Sequence, residues 1–510
     1  RSTNEEAART AVDTDVMNEH QQPIRFDNSY AALPDRFFER RPPTPVAAPS
    51  LIKANRALAE ELGIEPDWLE GAEGVEVMAG NRLPDAADPI AQAYAGHQFG
   101  NFVPQLGDGR AVLLGEVIDR NGKRRDIQLK GSGRTAFSRM GDGRSAIGPV
   151  LREYVVSEAM AVLGVATTRA LAAVKTGEPV FRETALPGAV LARVASSHVR
   201  VGTFQYFAVR GDNEAIRLLA DHVIERHYPH LLGTEKPYAG LLSAVIEAQA
   251  RLVASWMHLG FIHGVMNTDN FSIAGETIDY GPCAFMDEFH PGTVFSSIDH
   301  GGRYAYGNQP HIAHWNLTRF AETLIALLGN DEEKAIAEAQ ARLEEFPGVF
   351  NAALQAGLRR KLGLATERNE DAALFRDLFQ VMGDARADFT MTFRALSEDA
   401  GSGVNDSTRA LFADADAFDG WATRWRQRLA QEVASPEERR KAMLAVNPKY
   451  IPRNHLVEAV IQAAVERDDF NPFHELNFVL ARPFEEQPGR EEFVRPPQPE
   501  ERVLQTFCGT

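Results

Sequence analysis

Strand-like and helix-like segments occupy different parts of this chain, and this separation most constrains its fold. Short apolar runs bounded by turn residues predict strands between about residues 100 and 208, among them Ala111–Ile118 and Asp126–Lys130. One helix is predicted within that region, at Pro149–Leu163, with proline in its first turn and glycine just past its end. Beyond about residue 213 the pattern is mainly helical, most clearly at Tyr238–Leu259. Segregated elements are typical of α+β folds rather than of a repeating parallel βαβ sheet.

Composition narrows the class of protein further. Of the 510 residues, 44% are hydrophobic and 25% are charged, which excludes disorder as the main state. A net charge of −17 argues against a nonspecific nucleic-acid coat and against an anionic-membrane binder. No apolar run approaches the ~18 residues of a membrane span, and two cysteines are too few for a secreted disulfide framework. We therefore expect a cytoplasmic protein that binds neither nucleic acid nor membrane.

The amino-acid sequence predicts a division of the chain into four segments. Residues 1–95 form an N-terminal extension with a proline-rich arm at Arg41–Pro49, and residues 96–208 form a strand-rich lobe. Residues 209–330 form a helical core that contains a polar loop, and residues 331–510 form a helical C-terminal region. The stretch Pro483–Pro499 is rich in proline and charge, which predicts a mobile tail.

The tetrapeptide Gly-Asp-Gly-Arg occurs twice, at Gly107–Arg110 and Gly141–Arg144. Glycines allow the backbone to approach an anion closely, exposed N–H groups can hold phosphate oxygens, and the arginine adds a fixed positive charge. The candidate phosphate-binding residues are Gly107, Gly109, Arg110, Asp142 and Gly143. A simple turn between two strands explains the first copy as an alternative.

Lys130 and Glu153 place opposite charges in apolar surroundings. Lys130 ends a predicted apolar strand and Glu153 lies in a largely apolar helix, so each needs a counter-ion or an exit to solvent. Pairing the two would satisfy both, and protein kinases use such a Lys–Glu pair to hold nucleotide phosphates. A lysine at the sheet edge and a solvated glutamate remain the alternative.

The most specific local pattern is HGVMNTDN at His263–Asn270, followed nine residues later by Asp279-Tyr280-Gly281. Protein kinases carry H-R-D-x-x-x-x-N and then D-F-G, so the spacing of histidine and asparagine and the later aspartate agree with that pattern. We expect Asn270 and Asp279 to converge across a small hairpin of two very short strands, Phe271–Ile273 and Thr277–Asp279. Their oxygens are ligands that suit Mg²⁺. An Asx-rich turn is the alternative.

The kinase pattern is broken at one position. Val265 stands where kinases carry the catalytic aspartate, and valine cannot accept a proton. Asp269, directly before Asn270, is the nearest carboxylate. Either the site is inactive, or Asp269 has taken the role of the base from a different angle.

Two arginines and two cysteines complete the set of candidates. Arg193 and Arg200 lie in a strand-like stretch before the helical region and could focus a triphosphate into one cleft, or pair with surface carboxylates. Cys283 follows Asp279-Tyr280-Gly281 by two residues, and Cys508 is third from the end. These thiols are either inert or form a reversible disulfide that fastens the tail beside the loop.

Taken together, these motifs resemble those of the selenoprotein O family of protein adenylyltransferases over most of the chain. The resemblance rests on AYAGHQFG at residues 93–100, both GDGR loops, LKGSGRTAFSRMGDGRSA, LREYVVSEAM, HGVMNTDNFSI and DYGPCAFMD. It implies a protein-kinase-like bilobal fold with an N-terminal arm and a C-terminal helical extension. It also implies that ATP binds in a flipped orientation and that AMP is transferred to Ser, Thr or Tyr hydroxyls of proteins, with release of pyrophosphate.

The same resemblance implies a role for each matched residue. Asp269 matches the proton acceptor, Asn270 and Asp279 match ligands of Mg²⁺ or Mn²⁺, and Glu153 matches the partner of the lysine. The matched nucleotide contacts are Gly107, Gly109, Arg110, Lys130, Asp142, Gly143, Arg193, Arg200 and Asp279. Cys508 stands where some members carry selenocysteine, so the chain resembles a cysteine-containing bacterial member, a monomer, with redox control through a disulfide for which Cys283 and Cys508 are the candidates.

Two other functions stay open from the residues themselves. A conventional ATP-dependent phosphotransferase would use the same loop, because nothing in the composition chooses the α- over the γ-phosphate. A non-catalytic nucleotide-binding pseudokinase agrees with Val265, whereas the presence of Lys130, Asn270 and Asp279 argues against it.

Overall fold

The computed structural model describes residues 22–403 and 405–507, and the chain forms two compact units. The first unit comprises the described part of Arg1–Ala93 together with Gly107–Ile147 and Ala170–Ser197. The second comprises Tyr94–Leu106, Gly148–Arg169 and the described part of His198–Thr510. Cys508 lies outside the described residues.

Strands and helices are numbered along the whole described chain. The strands are β1 (Phe38–Arg40), β2 (Ser50–Ala54), β3 (Ile90–Gln92), β4 (Gly96–Gln98), β5 (Asn101–Val103), β6 (Ala111–Ile118), β7 (Arg124–Lys130), β8 (Ser145–Ala146), β9 (Arg169–Phe181), β10 (Ala185–Ala195), β11 (Phe261–Ile262) and β12 (Ala284–Phe285). The helices are α1 (Arg56–Glu61), α2 (Pro66–Glu70), α3 (Ala72–Ala79), α4 (Ile147–Val162), α5 (Val201–Ala208), α6 (Asn213–His227), α7 (Pro237–Leu259), α8 (Gln309–Leu328), α9 (Glu332–Leu343), α10 (Glu345–Lys361), α11 (Asp371–Ala385), α12 (Phe389–Ser402), α13 (Asp406–Arg409), α14 (Ala415–Leu429), α15 (Pro436–Leu444), α16 (Asn454–Arg467) and α17 (Asn471–Leu480).

The first unit is built on one sheet with the strand order β1-β3-β6-β7-β10-β9-β2, and β8 pairs with β10. The neighbours β6–β7 and β7–β10 are antiparallel. Side chains alternate between the two faces of a strand, so Ile127 and Leu129 of β7 enter a core that also holds Leu58 and Met78 of the helices α1 and α3. Gln128 therefore faces the other side of the sheet.

Register extends this second face across two strands. Arg193 of β10 is paired directly with Gln128, and Lys130 lies two residues further along β7. Directly paired residues of antiparallel strands share a face, as do residues two apart in one strand. Arg193, Gln128 and Lys130 are therefore on one face of the sheet, opposite the apolar core.

The second unit is mainly helical, with a large apolar core in its C-terminal part. The indole rings of Trp421 and Trp425 of α14 stack with centroids 5.6 Å apart. Each indole N–H also donates to a buried carbonyl, that of Leu374 for Trp421 and that of Leu362 for Trp425. These bonds satisfy the one polar atom of each tryptophan, so both can be buried completely.

Arg453 and Lys361 are two of the buried cations of this second unit. The guanidinium of Arg453 donates to Asp287 at 2.5 Å and to Asp388 at 2.9 Å, and only 1% of the side chain is exposed. Lys361 is 4% exposed, and its Nζ lies 4.3 Å from the ring centroid of Phe393. The arginine has two carboxylate partners, whereas the lysine faces an aromatic ring.

The order of elements agrees with the sequence prediction of a mixed α+β protein with a sheet-rich N-terminal part and a helical C-terminal part. The strand Ala111–Ile118 coincides with β6, and the helices predicted at Pro149–Leu163 and Tyr238–Leu259 correspond to α4 and α7. None of the helices in the described part of the chain combines the length and the hydropathy that a membrane span requires. The four-segment division and the mobile tail stay predictions.

The hairpin predicted at residues 271–279 is wrong. Ser272 forms an isolated bridge with Arg200, and Thr277 forms one with Thr167. The backbone groups of the two short segments are therefore satisfied by the chain that precedes α5 and by the chain that follows α4, rather than by each other.

Candidate functional site

The predicted loop residues Asp269, Asn270 and Asp279 are brought together in the second unit by Arg200. Asp269 and Asn270 lie on a single 3₁₀ turn, Thr268–Asn270. The guanidinium of Arg200, which directly precedes α5, donates to the backbone carbonyl of Asp269 and to Oδ2 of Asp279, both at 2.9 Å. Only 2% of the Arg200 side chain is exposed, so its charge acts within a dry environment.

The carboxylate of Asp269 is buried and incompletely paired. The residue is 7% exposed, and Oδ1 has no hydrogen-bond partner among the residues that the structure describes. Burial raises the pKa of Asp269 to about 6; the positive charge of Arg200 opposes this effect, and the negative charge of Asp279 adds to it. A carboxylate with a pKa closer to neutrality is a better general base than an ordinary aspartate.

Asn270 and Asp279 are both held in fixed conformations by the surrounding chain. The side-chain amide of Asn270 donates to the carbonyl of Val265 at 3.0 Å, which fixes the amide and leaves its oxygen for another partner. Asp279 has φ +61°, a left-handed conformation that costs free energy for a residue other than glycine and is concentrated at functional sites. Amide and carboxylate oxygens are the kinds of ligand that a hard divalent cation prefers.

A small hairpin packs on this loop. Strands β4 and β5 are joined by a two-residue turn, Phe99 and Gly100, both with positive φ, as in a type I′ turn. The backbone N–H of His97 donates to Oγ1 of Thr268 at 2.7 Å, and that of Phe99 donates to Oδ1 of Asn267 at 3.0 Å. The hairpin is thus fixed to the residues that directly precede Asp269.

The hairpin also limits the space around the Asp269 carboxylate. A Cβ atom on Gly96 would overlap Oδ1 of Asp269 and lie 2.9 Å from its Cβ and Cγ atoms. The side-chain amide of Gln98 lies 3.4 Å from Oδ2, at the long end of hydrogen-bond distances. Only glycine at position 96 therefore leaves room for this carboxylate.

A polar chain supports the same contact from α5. Oγ1 of Thr268 donates to Oε1 of Gln205 at 2.6 Å, and the amide nitrogen of Gln205 lies 2.8 Å from Nδ1 of His97. Gln205 therefore connects the 3₁₀ turn to the hairpin, and a change in any of the three side chains leaves a partly buried polar group without its partner.

His263 and Val265, which mark the departure from the kinase pattern, are both buried. Nε2 of His263 lies 2.8 Å from the carbonyl of Ile278, and its ring stacks on Trp256 with centroids 5.5 Å apart. Burial lowers the pKa of His263. This buried histidine therefore holds the loop in place through its contact with the carbonyl of Ile278.

The first GDGR loop lies in the first unit directly before β6, and the backbone N–H of Asp108 donates to the carbonyl of Gln92 at the end of β3. Gly107 has φ +87°, and a Cβ atom there would overlap the ring of Phe137. A Cβ on Gly109 would lie 2.8 Å from the carbonyl oxygen of Phe137. Asp108 is buried and accepts hydrogen bonds from the backbone of Gln92 at 3.0 Å and from the amide of Gln128 at 3.3 Å. Close packing against Phe137 therefore explains why both positions are occupied by glycine.

The basic residues of the first unit differ in burial. Arg193 is 2% exposed and donates two hydrogen bonds to Oε1 of Gln128, at 2.6 and 3.2 Å. Gln128 in turn donates to Asp108, so a polar chain runs from β10 through β7 to the GDGR loop. Arg110 and Lys130 are partly exposed. Side-chain hydrogen bonds to Gln128 therefore hold Arg193 on the polar face of the sheet.

The second GDGR loop is more exposed than the first. Asp142 accepts hydrogen bonds from the backbone of Arg144 at 2.9 Å and from the guanidinium of Arg182 at 2.9 Å. Partial burial opposes ionisation, but these two donors outweigh it and lower the pKa of Asp142. A Cβ on Gly143 would overlap the backbone of Gly133.

The structure divides the predicted site residues between its two units. The first unit holds Gly107, Gly109, Arg110, Lys130, Asp142, Gly143 and Arg193, and the second holds Glu153, Arg200, Asp269, Asn270, Asp279 and Cys283. The ion pair between Lys130 and Glu153 stays a prediction.

Four residues near the candidate site residues have no functional role predicted from the sequence: Gly96, Gln98, Gln205 and Gln128. Gly96 and Gln98 lie in AYAGHQFG. The polar residues between the two glycines of this motif are the feature of the sequence that could have indicated a functional hairpin. Gln205 and Gln128 interrupt apolar stretches, and a buried amide in such a stretch needs polar partners.

The chain near its C-terminus contacts the loop that follows Asp279. Oγ1 of Thr506 donates to the carbonyl of Pro282 at 2.6 Å, and the backbone of Thr506 pairs with the segment around Ser296. Cys283, the next residue after Pro282, is fully buried. The disulfide between Cys283 and Cys508 stays a prediction, because Cys508 is outside the described residues.

Comparison with known proteins shows that the chain is similar over most of its length to members of one family. A family model described as "Protein adenylyltransferase SelO" matches residues 21–480. A "Protein nucleotidyltransferase YdiU" of Bradyrhizobium sp. (strain ORS 278) is 67% identical over 485 residues, which is 95% of this chain and 99% of the relative. Relatives of the same name from Bradyrhizobium diazoefficiens and Rhodopseudomonas palustris (strain BisB18) are 66% and 65% identical over the same shares of both chains.

These matches define the chain as a nucleotidyltransferase. It belongs to the SelO family of protein adenylyltransferases.

Proposed function

We propose that this protein transfers AMP from ATP to a Ser, Thr or Tyr hydroxyl of an acceptor protein, with Asp269 as the proton acceptor. The observation that carries the proposal is the unpaired Oδ1 of a buried carboxylate, which shares one loop with the oxygens of Asn270 and Asp279. Val265, where a kinase would carry its base, supports a base at a different position and so a different phosphorus atom as electrophile.

Each unit holds some of the residues that we propose as nucleotide contacts. In the first, the proposed contacts are Gly107, Gly109, Arg110, Lys130, Asp142, Gly143 and Arg193. In the second they are Arg200 and Asp279, and Glu153 is the proposed partner of Lys130. Fixed guanidinium and ammonium groups would neutralise the triphosphate and the departing pyrophosphate without reorganising during the reaction.

Asn270 and Asp279 would hold the divalent cation, Mg²⁺ or Mn²⁺. When bound, this cation supplies positive charge that draws electron density from the phosphate oxygens. Arg200 fixes Asp279 through Oδ2, and the carbonyl of Val265 fixes the Asn270 amide. The chain thereby orients both ligands before any nucleotide enters.

In the proposed AMP transfer one bond to the α-phosphorus forms and another breaks. The acceptor hydroxyl gives its proton to Asp269 while its oxygen forms a bond to the α-phosphorus of ATP. The bond from the α-phosphorus to the bridging oxygen breaks, and pyrophosphate leaves with that electron pair. Gln98 and Gly96 hold the Asp269 carboxylate in position, because one approaches Oδ2 and the other leaves space beside Oδ1.

Several finer features belong to the same proposal. The sheet-rich and helical parts would correspond to the two lobes of a kinase-like fold, with residues 1–95 as an arm and residues 331–510 as a helical extension. We further propose a monomer that acts in the bacterial cytoplasm on protein substrates, with activity raised by reduction of a Cys283–Cys508 disulfide.

The position of a radiolabel tests the function. Label from α-³²P-ATP should reach an acceptor protein, whereas label from γ-³²P-ATP should not. Asp269→Asn keeps the shape of the side chain but cannot take the proton, so we expect transfer to fall by about 10²–10⁴-fold. Asp384→Asn, at an exposed position on α11, is the matched control and should transfer at the rate of the unaltered protein.

Each contrary outcome points to a different function. Transfer of the γ label would identify a phosphotransferase, and no transfer of either label would identify a nucleotide-binding pseudokinase. Because the relatives are named only as nucleotidyltransferases, α-labelled UTP, GTP and CTP should be compared with ATP. Preference for another nucleotide would refute AMP as the transferred group.

A further inference from the structure

Aromatic and arginine side chains form a partly exposed cluster beside the β4–β5 hairpin in the second unit. The guanidinium of Arg303 lies 4.8 Å from the centroid of the Trp315 ring, and that of Arg319 lies 4.9 Å from the same ring. His97 packs edge-on against Trp315 at 5.2 Å, and Phe102 packs against His97 at 4.9 Å. These five residues are called the Trp315 cluster below.

Arg303 is held firmly but is not neutralised. Its backbone N–H donates to Asp299 at 2.9 Å, and its carbonyl accepts from Asn308 at 2.6 Å. Among residues 22–403 and 405–507, no carboxylate oxygen lies within the 4.0 Å of an ion pair with its guanidinium, and its buried Nε has no hydrogen-bond partner. Arg319, by contrast, is paired with Glu322 at 2.7 Å.

The local charge is opposite in sign to that of the whole chain. The protein has a net charge of −17, yet two guanidinium groups, those of Arg303 and Arg319, lie over the Trp315 ring that His97 contacts. Burial lowers the pKa of His97, and the charges of Arg319 and Arg303 lower it further, while the hydrogen bond from Gln205 acts in the opposite direction. An anionic group would therefore be attracted to this cluster and repelled by most of the surface.

The cluster is next to the proposed base. The guanidinium of Arg303 lies 3.5 Å from the position of a Cβ on Gly100, at the tip of the hairpin. Gln98, two residues before Gly100, approaches Oδ2 of Asp269. An acceptor segment with its hydroxyl at Asp269 would extend by about 3.3 Å per residue, so neighbouring side chains would reach the Trp315 cluster.

We propose that the Trp315 cluster binds an acidic side chain of the acceptor protein, with Arg303 as the residue that pairs with it. This inference rests on the proposed function and names its substrate class, a hydroxyl flanked by Asp or Glu. A guanidinium that stacks on an indole keeps its donors oriented, and its planar fork matches a carboxylate with two parallel hydrogen bonds. Phe102, 36% exposed, offers an adjacent apolar contact.

Binding is tested with two fluorescein-labelled peptides that share a central tyrosine, flanked in one by glutamates and in the other by glutamines. Fluorescence anisotropy should give the glutamate peptide about fivefold to tenfold tighter binding, weakened by salt. Arg303→Met keeps the stem of the side chain and should remove the preference, whereas Arg303→Lys should retain part of it. Arg376→Met, at an exposed arginine on α11, should leave it unchanged.

Three results would overturn the inference: no measurable binding of the glutamate peptide by the unaltered protein, equal binding of both peptides, or equal loss in the Arg303 and Arg376 variants. Transfer from α-³²P-ATP to the same peptides separates it from the proposed function. Binding preference without any transfer refutes the adenylyl assignment alone. Transfer that is equal for both peptides, with a KM for peptide unchanged by Arg303→Met, refutes the acidic acceptor alone.

Discussion

The burial of Lys361 predicts how much a substitution at this position changes the free energy of unfolding. The residue ends α10, is 4% exposed and faces the ring of Phe393 rather than a carboxylate. Burial lowers the pKa of Lys361 from 10.5 to about 7. Below pH 7 the charged lysine therefore destabilises the folded protein relative to the unfolded chain. This cost disappears as the pH rises from 7 towards 10.5, where the unfolded chain also loses the proton.

Lys361→Met should remove this cost, because methionine has a similar length and no charge. At about 1.4 kcal/mol per pKa unit, the cost is about 5 kcal/mol at pH 6 and about 2 kcal/mol at pH 9. Loss of the cation–π contact offsets roughly 1–2 kcal/mol of the gain. We expect the variant to exceed the unaltered protein in free energy of unfolding by about 3 kcal/mol at pH 6, with little difference near pH 10.

Urea denaturation at several pH values measures this difference. Tryptophan fluorescence reports on the right region, because the indole of Trp425 donates to the carbonyl of Leu362, the residue after Lys361. Lys441→Met makes the same chemical change at an exposed lysine and should leave stability within about 0.5 kcal/mol at every pH. If the two variants behave alike, or if the gain from Lys361→Met does not shrink between pH 7 and 10, Lys361 is not held at a depressed pKa.

Two further predictions concern other buried contacts. Gly96→Ala should lower adenylyl transfer at least about tenfold, because its Cβ displaces the Asp269 carboxylate, while the circular dichroism spectrum stays unchanged. The control is Gly420→Ala, where a Cβ meets nothing within 4 Å, and this variant should retain full transfer. Arg453→Met should lower the free energy of unfolding by about 3–5 kcal/mol in urea titrations, because it leaves the buried carboxylate of Asp388 and the partly buried carboxylate of Asp287 without their cation. Normal stability of this variant, or normal transfer by Gly96→Ala, would contradict the corresponding contact.

Local pattern was sufficient to predict the long elements and the loop. The strand Ala111–Ile118 and the helix that ends at Leu259 follow from periodicity and from a terminal glycine, both of which act over a few residues. Asn270 is predicted from its separation from His263, and Asp269 is predicted because it is the carboxylate nearest to Asn270. These predictions needed no knowledge of distant contacts.

Long-range contacts explain what the sequence did not indicate. His97 and Thr268 are 171 residues apart, so no local pattern could show that the β4–β5 hairpin packs on the turn that carries Asp269. The wrong hairpin at residues 271–279 has the same origin, since the backbone of its two short segments finds partners in two other segments. Likewise, the pairing of Arg193 with Gln128 depends on strand register, which only the assembled sheet fixes.

The chain passes between the two units five times, at the junctions after Ala93, Leu106, Ile147, Arg169 and Ser197. A gene fragment that starts at residue 198 would encode Asp269, Asn270 and Asp279, yet it would omit Gly96 and Gln98 and the helix α4. No single truncation can isolate either unit, so split versions or domain swaps of this enzyme would have to exchange short internal cassettes rather than halves.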